Sequence, residues 1–282
     1  MIAARWAVAA GLVTGAVVAM LIVGADDPAA SRAPHAIADR PTTTQPTGTP
    51  STPRPEPVEP PDLAAAAGDA TIGVAVYDRE RADLVLTESA DRQFTSASLV
   101  KLLIALEALE RGDAPGPVRR MLSGSDDQIA SALWMRHGDV RIVTRWADRM
   151  GLAHTQPPAD PGRWGDTRTT ARDVVSIYRH LYDDVDEAAR ETVLAALREA
   201  TPTGSSDGFD QYFGIPDAAG DEPWAVKQGW SCCRTGKILH TTGVVGERYL
   251  VAVLTQHPAT SAWAAASRRT TKLTSAVLAT LR

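Results

Sequence analysis

The stretch FTSASLVKLLIALEAL, residues 94–109, sets a serine and a lysine three positions apart at the head of an apolar run. On a helix, positions i and i+3 share a face, so Ser98 and Lys101 can meet. A serine hydroxyl is a weak nucleophile until a base takes its proton. A lysine amine is such a base only when burial or a neighbouring cation lowers its pKa. Lys101 precedes LLIALEAL, a run that must be largely buried as a helix, and this supplies the desolvation. The same residues also suit an N-cap serine and a lysine that snorkels to water, which is the commoner use of such a tetrapeptide taken alone.

Two further stretches carry chemistry. Ser125-Asp126-Asp127, in LSGSDDQIASALW, falls at a loop-to-helix junction, and Lys227-Gln228-Gly229, in AVKQGW, falls on a strand of the C-terminal half. The ordered set S-x-x-K, S-D-N and K-T-G marks class A β-lactamases and penicillin-binding proteins. The chain resembles that superfamily over about residues 68–282. FTSASLVKLLIA is similar to its active-site helix, and WGDTRTTARDVVSIYRHL is similar to the segment that follows its omega loop.

The resemblance implies an α+β fold of the β-lactamase/DD-peptidase type, an antiparallel sheet flanked by helices. Only 26 residues lie between Ser98 and Ser125, so the helical lobe is expected to be reduced. The implied reaction is acyl transfer to serine, with no metal or cofactor. Ser98 would be the acylated nucleophile, Lys101 its base and Ser125 a proton relay. Lys227 would lower local pKa values and attract an anionic substrate. Backbone N–H groups of Ser98 and Trp230 would form an oxyanion hole. Gly229 would let the substrate lie along the strand as an added edge.

Three departures bear on that expectation. Asp127 stands where the superfamily has asparagine; an ionised carboxylate only accepts hydrogen bonds and would repel an anionic substrate or hold Lys101 charged. Gln228 stands where a threonine or serine binds the substrate carboxylate. No glutamate occurs between Met150 and Thr170, where class A enzymes place the one that activates water for deacylation. Asp160 is the candidate to replace it, and the expectation is that nothing does.

The elements that position these residues follow from periodicity. ATIGVAVYD and ADLVLTES read as a strand hairpin, and Ser98 to about Arg111 as a helix stopped by Gly112. The middle of the chain, to about residue 200, is mainly helical. PWAVKQGW, GKILHTTGVVG and RYLVAVLTQH return to strand, and TSAWAAASRRTTKLTSAVLATL closes as a helix. Strands at both ends with helices between imply one sheet and a helical lobe.

Residues 1–25 hold an uncharged apolar run, Trp6 to Ala25, long enough for the roughly 30 Å of a bilayer core. It reads as a membrane anchor, or alternatively as a cleaved signal peptide. Residues 26–62 hold ten of the 19 prolines and almost no large apolar residue. Such a stretch cannot bury enough surface to fold, so it reads as a disordered stalk. Residues 63–282 form the globular part, expected outside the cytoplasm. The net charge of −5 argues against nucleic acid as a partner.

Cys232 and Cys233 are the only cysteines. They read either as a vicinal disulfide or as two packed thiols, and no zinc spacing exists. His240 and His257 read as structural or exposed. Of the tryptophans at 134, 146, 164, 224, 230 and 263, only Trp230 has a positional reason to line the cleft. Asp183, Asp184 and Asp186 read as a solvated helix start. Two functions remain open: a serine acyl-transfer hydrolase acting on a small-molecule or peptidoglycan-like substrate near the cell wall, and a non-catalytic wall-binding or scaffolding protein on the same fold.

Overall fold

Along the strand ATIGVAVYD both alternating sets of side chains are apolar, so both faces of its sheet must be covered. The computed structural model describes residues 62–232 and 236–281, within a compact unit spanning Pro57–Arg282. The apolar run Trp6–Ala25, the proline-rich stretch up to residue 61 and Cys233 lie outside the described residues. Among the described residues no helix is long and apolar enough to cross a membrane.

The elements run in the order α1 (Leu63–Ala67), β1 (Thr71–Asp78), β2 (Asp83–Glu88), β3 (Phe94–Thr95), α2 (Lys101–Glu110), α3 (Pro115–Ser123), α4 (Asp127–His137), α5 (Val140–Met150), β4 (Arg168–Thr169), α6 (Ala171–Asp183), α7 (Glu187–Arg198), α8 (Ile215–Ala218), β5 (Trp224–Ser231), β6 (Lys237–Val245), β7 (Tyr249–His257) and α9 (Trp263–Ala279). Five strands form an antiparallel sheet in the order β2-β1-β7-β6-β5. The two terminal regions thus build one sheet, with β5 at its edge.

The sheet is the middle of three layers. Val74 and Val76 of β1, with Val251 and Val253 of β7, pack in a cluster with Leu63 of α1 and Leu273 and Val277 of α9. Ala75 and Tyr77, with Leu250, Ala252 and Leu254, belong to the larger cluster that includes Leu103 and Leu106 of α2 and Val174 and Tyr178 of α6. This is the period-two division of a strand between two apolar layers. The helical lobe is α2 to α7, and α2 and α3 occupy most of the short stretch between Ser98 and Ser125. Gly138 and Gly151 end α4 and α5 in the left-handed conformation, which glycine adopts without a Cβ clash.

Three details differ from the sequence expectation. Ser98 lies not in the α-helix but in a 3-10 turn, Ala97–Val100, that leads into it. The turn is tightened by Leu99 N–H donating to the Ser96 carbonyl at 3.0 Å. The two-residue strands β3 and β4, too short to show periodicity, pair Phe94 with Thr169 and Thr95 with Arg168. Of the three aspartates, Asp186 caps α7 by accepting from Ala189 N–H, whereas Asp183 and Asp184 end α6.

His240 and His257 are both buried. One His240 ring nitrogen is 2.9 Å from the Thr95 carbonyl, and the other accepts from Thr255 N–H at 3.1 Å, which fixes a neutral tautomer. His257 Nε2 sits among the Thr255 and Thr270 hydroxyls. Burial holds both imidazoles at about 4, below the ordinary 6.5. The unfolded chain therefore binds more protons between those values. The stability these residues give is complete above about pH 6.5 and is lost as pH falls toward 4. The melting temperature should drop by roughly 5–10 °C from pH 7 to pH 5, and His240→Asn should flatten that slope. An unchanged melting temperature across this range would contradict the buried-neutral assignment.

Candidate active site

Three separate elements deliver the polar cluster, and each does so for a local reason. β3 and the 3-10 turn carry Ser98. Ser96 N–H donates to the carbonyl of Thr167, the residue before β4, at 2.7 Å, which fastens the turn there. The turn also lies hard against β5: a Cβ on Gly229 would sit 3.0 Å from the Ser96 carbonyl oxygen and 3.2 Å from the Leu99 side chain. Gly229 is thus required by packing of the nucleophile turn on the strand, a role different from the substrate contact expected of it.

The second element is the start of α4. Asp126 is its N-cap, accepting from Gln128 and Ile129 N–H at 2.9 Å each. That use of Asp126 leaves the next carboxylate, Asp127, directed into the cleft. Ser125 just before it is held at φ +53, and Ala97 before the nucleophile at φ +49. Neither is glycine, and such left-handed residues cost about 1–3 kcal/mol each and concentrate at functional sites. The third element is the edge strand β5, which carries Lys227.

The structure brings Ser98, Lys101, Ser125 and Lys227 into one hydrogen-bonded cluster. Lys101 Nζ lies 3.0 Å from Ser98 Oγ, 3.2 Å from Ser125 Oγ and 2.6 Å from the Ser125 carbonyl. Lys227 Nζ donates to Ser125 Oγ at 2.9 Å. Ser125 therefore bridges the two amines. Both lysines are buried. Burial pushes Lys101 below the ordinary lysine range, while the charge and hydrogen bond of Asp127 pull it back. Burial pushes Lys227 well below that range, and the nearby Lys101 adds to the effect. The group arrangement is that of a buried amine in reach of a hydroxyl proton, with a second hydroxyl placed to pass it on.

Asp127 Oδ1 lies 2.5 Å from Lys101 Nζ, and its side chain is 52% exposed while the lysine is 0% exposed. The pairing expected from the sequence is therefore present, and it is open to solvent on one side only.

Gln228 does not serve the cleft. It is buried, and its amide donates to the Gln211 and Phe213 carbonyls at 2.8 and 2.6 Å. Successive strand residues face opposite sides, so Lys227 reaches Ser125 and Gln228 anchors the loop behind β5 instead. The expectation that Gln228 contacts substrate is corrected on that ground. Asp160 is also spent elsewhere, accepting from Gly162 N–H at 2.9 Å. The carboxylate of that segment that does line the cleft is Asp166, paired with Arg163 at 2.6 Å.

The cleft itself is open, about 650 Å³, and lined by Ser98, Asp127, Trp164, Asp207, Phe209 and Trp230 among others. Trp230 stacks on Phe209 at 5.1 Å, and its indole donates to Asp207 at 2.7 Å. Trp230 is thus where the sequence places it, but it is not alone. Trp164 lies with its ring 4.9 Å from Lys101 Nζ, and Trp263 also lines the opening. Asp207 and Phe209 escape sequence reasoning altogether. The loop TGSSDGFD signals a turn by its Gly, Ser and Asp content, but nothing in it says that it folds over the cleft. Cys232 lines the cleft too and is disulfide-bonded. Among the described residues no group of His, Cys, Asp and Glu could hold a metal ion.

The fold is that of the β-lactamase and penicillin-binding-protein superfamily. A class A β-lactamase from Mycobacterium abscessus matches with TM-score 0.65 and 20% identity, over 78% of this chain and 97% of that one. TLA-3 extended-spectrum β-lactamase matches with TM-score 0.65 and 14% identity, over 78% and 98%. A mutant of PBP-A, solved as its acyl-enzyme complex with penicillin G, matches with TM-score 0.63 and 17% identity, over 78% and 93%. No protein-family model matches the chain. In sequence it is 40% identical over 224 residues to the protein named "Putative lipoprotein LppW" in Mycobacterium tuberculosis and in Mycobacterium bovis, covering 73% of this chain and 69% of each relative. The chain belongs to the LppW family.

Proposed function

We propose that the protein is a serine acyl-transfer hydrolase of the β-lactamase and penicillin-binding-protein type, exported, held at the membrane and acting near the cell wall. The observation that carries this reading is the 3.0 Å contact between a buried lysine amine and Ser98 Oγ at the floor of an open cleft. Lys101 takes the Ser98 proton as Oγ bonds to the acyl carbon. Ser125, held by both amines, returns a proton to the leaving group. Lys227 donates to Ser125 Oγ and holds that relay hydroxyl in place. The backbone N–H groups of Ser98 and Trp230 are the oxyanion donors. The substrate is a small molecule or a peptidoglycan-like acyl donor.

Among the described residues, the two carboxylates between Met150 and Thr170 are both engaged, Asp160 with its own loop and Asp166 with Arg163. A penicillin should therefore acylate Ser98 slowly and stall there. Stopped-flow and steady-state assays with a penicillin and a cephalosporin should show at most a single turnover over minutes. Rapid multiple turnover would contradict the stalled intermediate.

The relative's printed name points to a lipid anchor. The apolar run Trp6–Ala25 is the segment of this sequence that would supply a tether. A second reading, a non-catalytic wall-binding or scaffolding protein, is favoured by one observation. Asp127 lies against Lys101 and opposes the loss of its proton.

A further inference from the structure

We propose that the cleft selects an acyl donor bearing a positive charge, an ammonium or quaternary ammonium near the scissile carbonyl, and that this charge switches Lys101 on by taking over Asp127. The proposal rests on the acyl-transfer reading above and assigns its substrate class.

Four observations lead to it. At the position expected to hold a carboxylate receptor, the Gln228 side-chain N–H groups donate to two backbone carbonyls on the far side of β5 and are not offered to the cleft. The charged side chains lining the cleft, among the described residues, are the carboxylates of Asp127, Asp166 and Asp207 and one guanidinium, Arg163, which pairs with Asp166. Asp207 is held in place by uncharged donors, the Trp230 indole at 2.7 Å and the Phe209 amide at 3.0 Å. Its carboxylate is therefore fixed in orientation by donors that carry no charge. The faces of Trp164, Trp230 and Phe209 complete the wall, and aromatic faces attract desolvated cations.

The switch follows from the burial asymmetry of the Lys101–Asp127 pair. The lysine is fully enclosed and the aspartate is half open to the cleft. Asp127 can accept a second cation from that open side without moving Lys101. Burial, the larger influence on Lys101, already favours the neutral amine, and sharing the Asp127 charge with a substrate ammonium weakens the main influence that opposes it. A neutral or anionic substrate leaves the pair intact, and Lys101 stays a poor base. Ser98 Oγ then bonds to the acyl carbon, its proton passes to Lys101 Nζ, and the alcohol or amine leaves with a proton relayed through Ser125. No other reactant is needed.

The test uses three activated esters of equal length, ending in trimethylammonium, in a neutral group and in carboxylate, with the full chain. Chromophore release and the mass of the acyl-enzyme give each rate. Acylation should be about tenfold or more faster with the cationic ester than with the anionic one at low salt. The ratio should shrink as salt rises and should fall in Asp207→Asn. Equal rates, or a faster anionic ester, would overturn the proposal. Should none of the esters label Ser98, acyl transfer itself would be the failed claim. Binding of the matching unreactive amides, read by tryptophan fluorescence, then decides the selectivity: tighter binding of the trimethylammonium amide supports it, and equal or tighter binding of the carboxylate overturns it.

Discussion

Lys101→Ala should lower the rate of Ser98 acylation by an activated ester by about 10²–10⁴, the usual range for losing a general base, and Ser98→Ala should abolish labelling. The expectation comes from the site's geometry. Lys101 Nζ is 3.0 Å from Ser98 Oγ, and among the described residues no histidine lines the cleft. His240 and His257, in strands of the sheet, are each committed to structural hydrogen bonds. A neutral amine is the proton acceptor that remains. Its removal also takes a donor from the Ser125 hydroxyl and carbonyl, so part of the loss would reflect a displaced Ser125. Rescue by added small primary amines would separate the two, since an amine in solution can replace a base but not a misplaced hydroxyl. A Lys101→Ala rate within a few-fold of wild type would remove Lys101 from the mechanism.

Asp127→Asn should move the rate in the opposite direction. The carboxylate sits 2.5 Å from the amine and works against the burial that lowers its pKa. An opposite charge at such a distance typically shifts a pKa by about 1–3 units. Asparagine can still face the amine but does not hold it charged. A larger fraction of Lys101 would be neutral at pH 7, and acylation by a neutral ester should rise about tenfold or more. The acid limb of the pH–rate profile should move to lower pH in the same variant. This sign is informative because most substitutions beside a catalytic residue slow the reaction. An unchanged rate with an unchanged acid limb would mean that Asp127 does not govern Lys101.

The two variants also divide the functions left open by the sequence. If the wild-type chain is inert toward esters and Asp127→Asn is active, the native site is held off by its own carboxylate. A chain in which both are inert is a scaffold.

The serine–lysine cluster was legible in the sequence because two of its parts lie on local structure. Ser98 and Lys101 are one turn apart, and Ser125 stands beside the cap of α4. Lys227 was legible only through the ordered set of three stretches. Gln228, its neighbour, was misread for a reason intrinsic to strands. Adjacent residues face opposite sides, and the carbonyls that capture its amide belong to Gln211 and Phe213, which no spacing connects to β5. Gly229 was expected to make room for a substrate strand, whereas a Cβ there would meet the Ser96 carbonyl. The cleft wall was the least legible part. Asp207, Phe209 and Trp164 come from loops whose path over the site is set by tertiary contacts, and β3 and β4 are too short to leave a periodic trace.

The most direct measurement is the intact mass of the protein after exposure to an activated ester, followed by peptide mapping, in wild type and Ser98→Ala. A serine acyl-transfer site predicts one covalent adduct per chain, on the peptide containing Ser98, absent from the variant. Failure of every activated ester and penicillin to leave an adduct on Ser98, or an adduct of equal yield in Ser98→Ala, would contradict it.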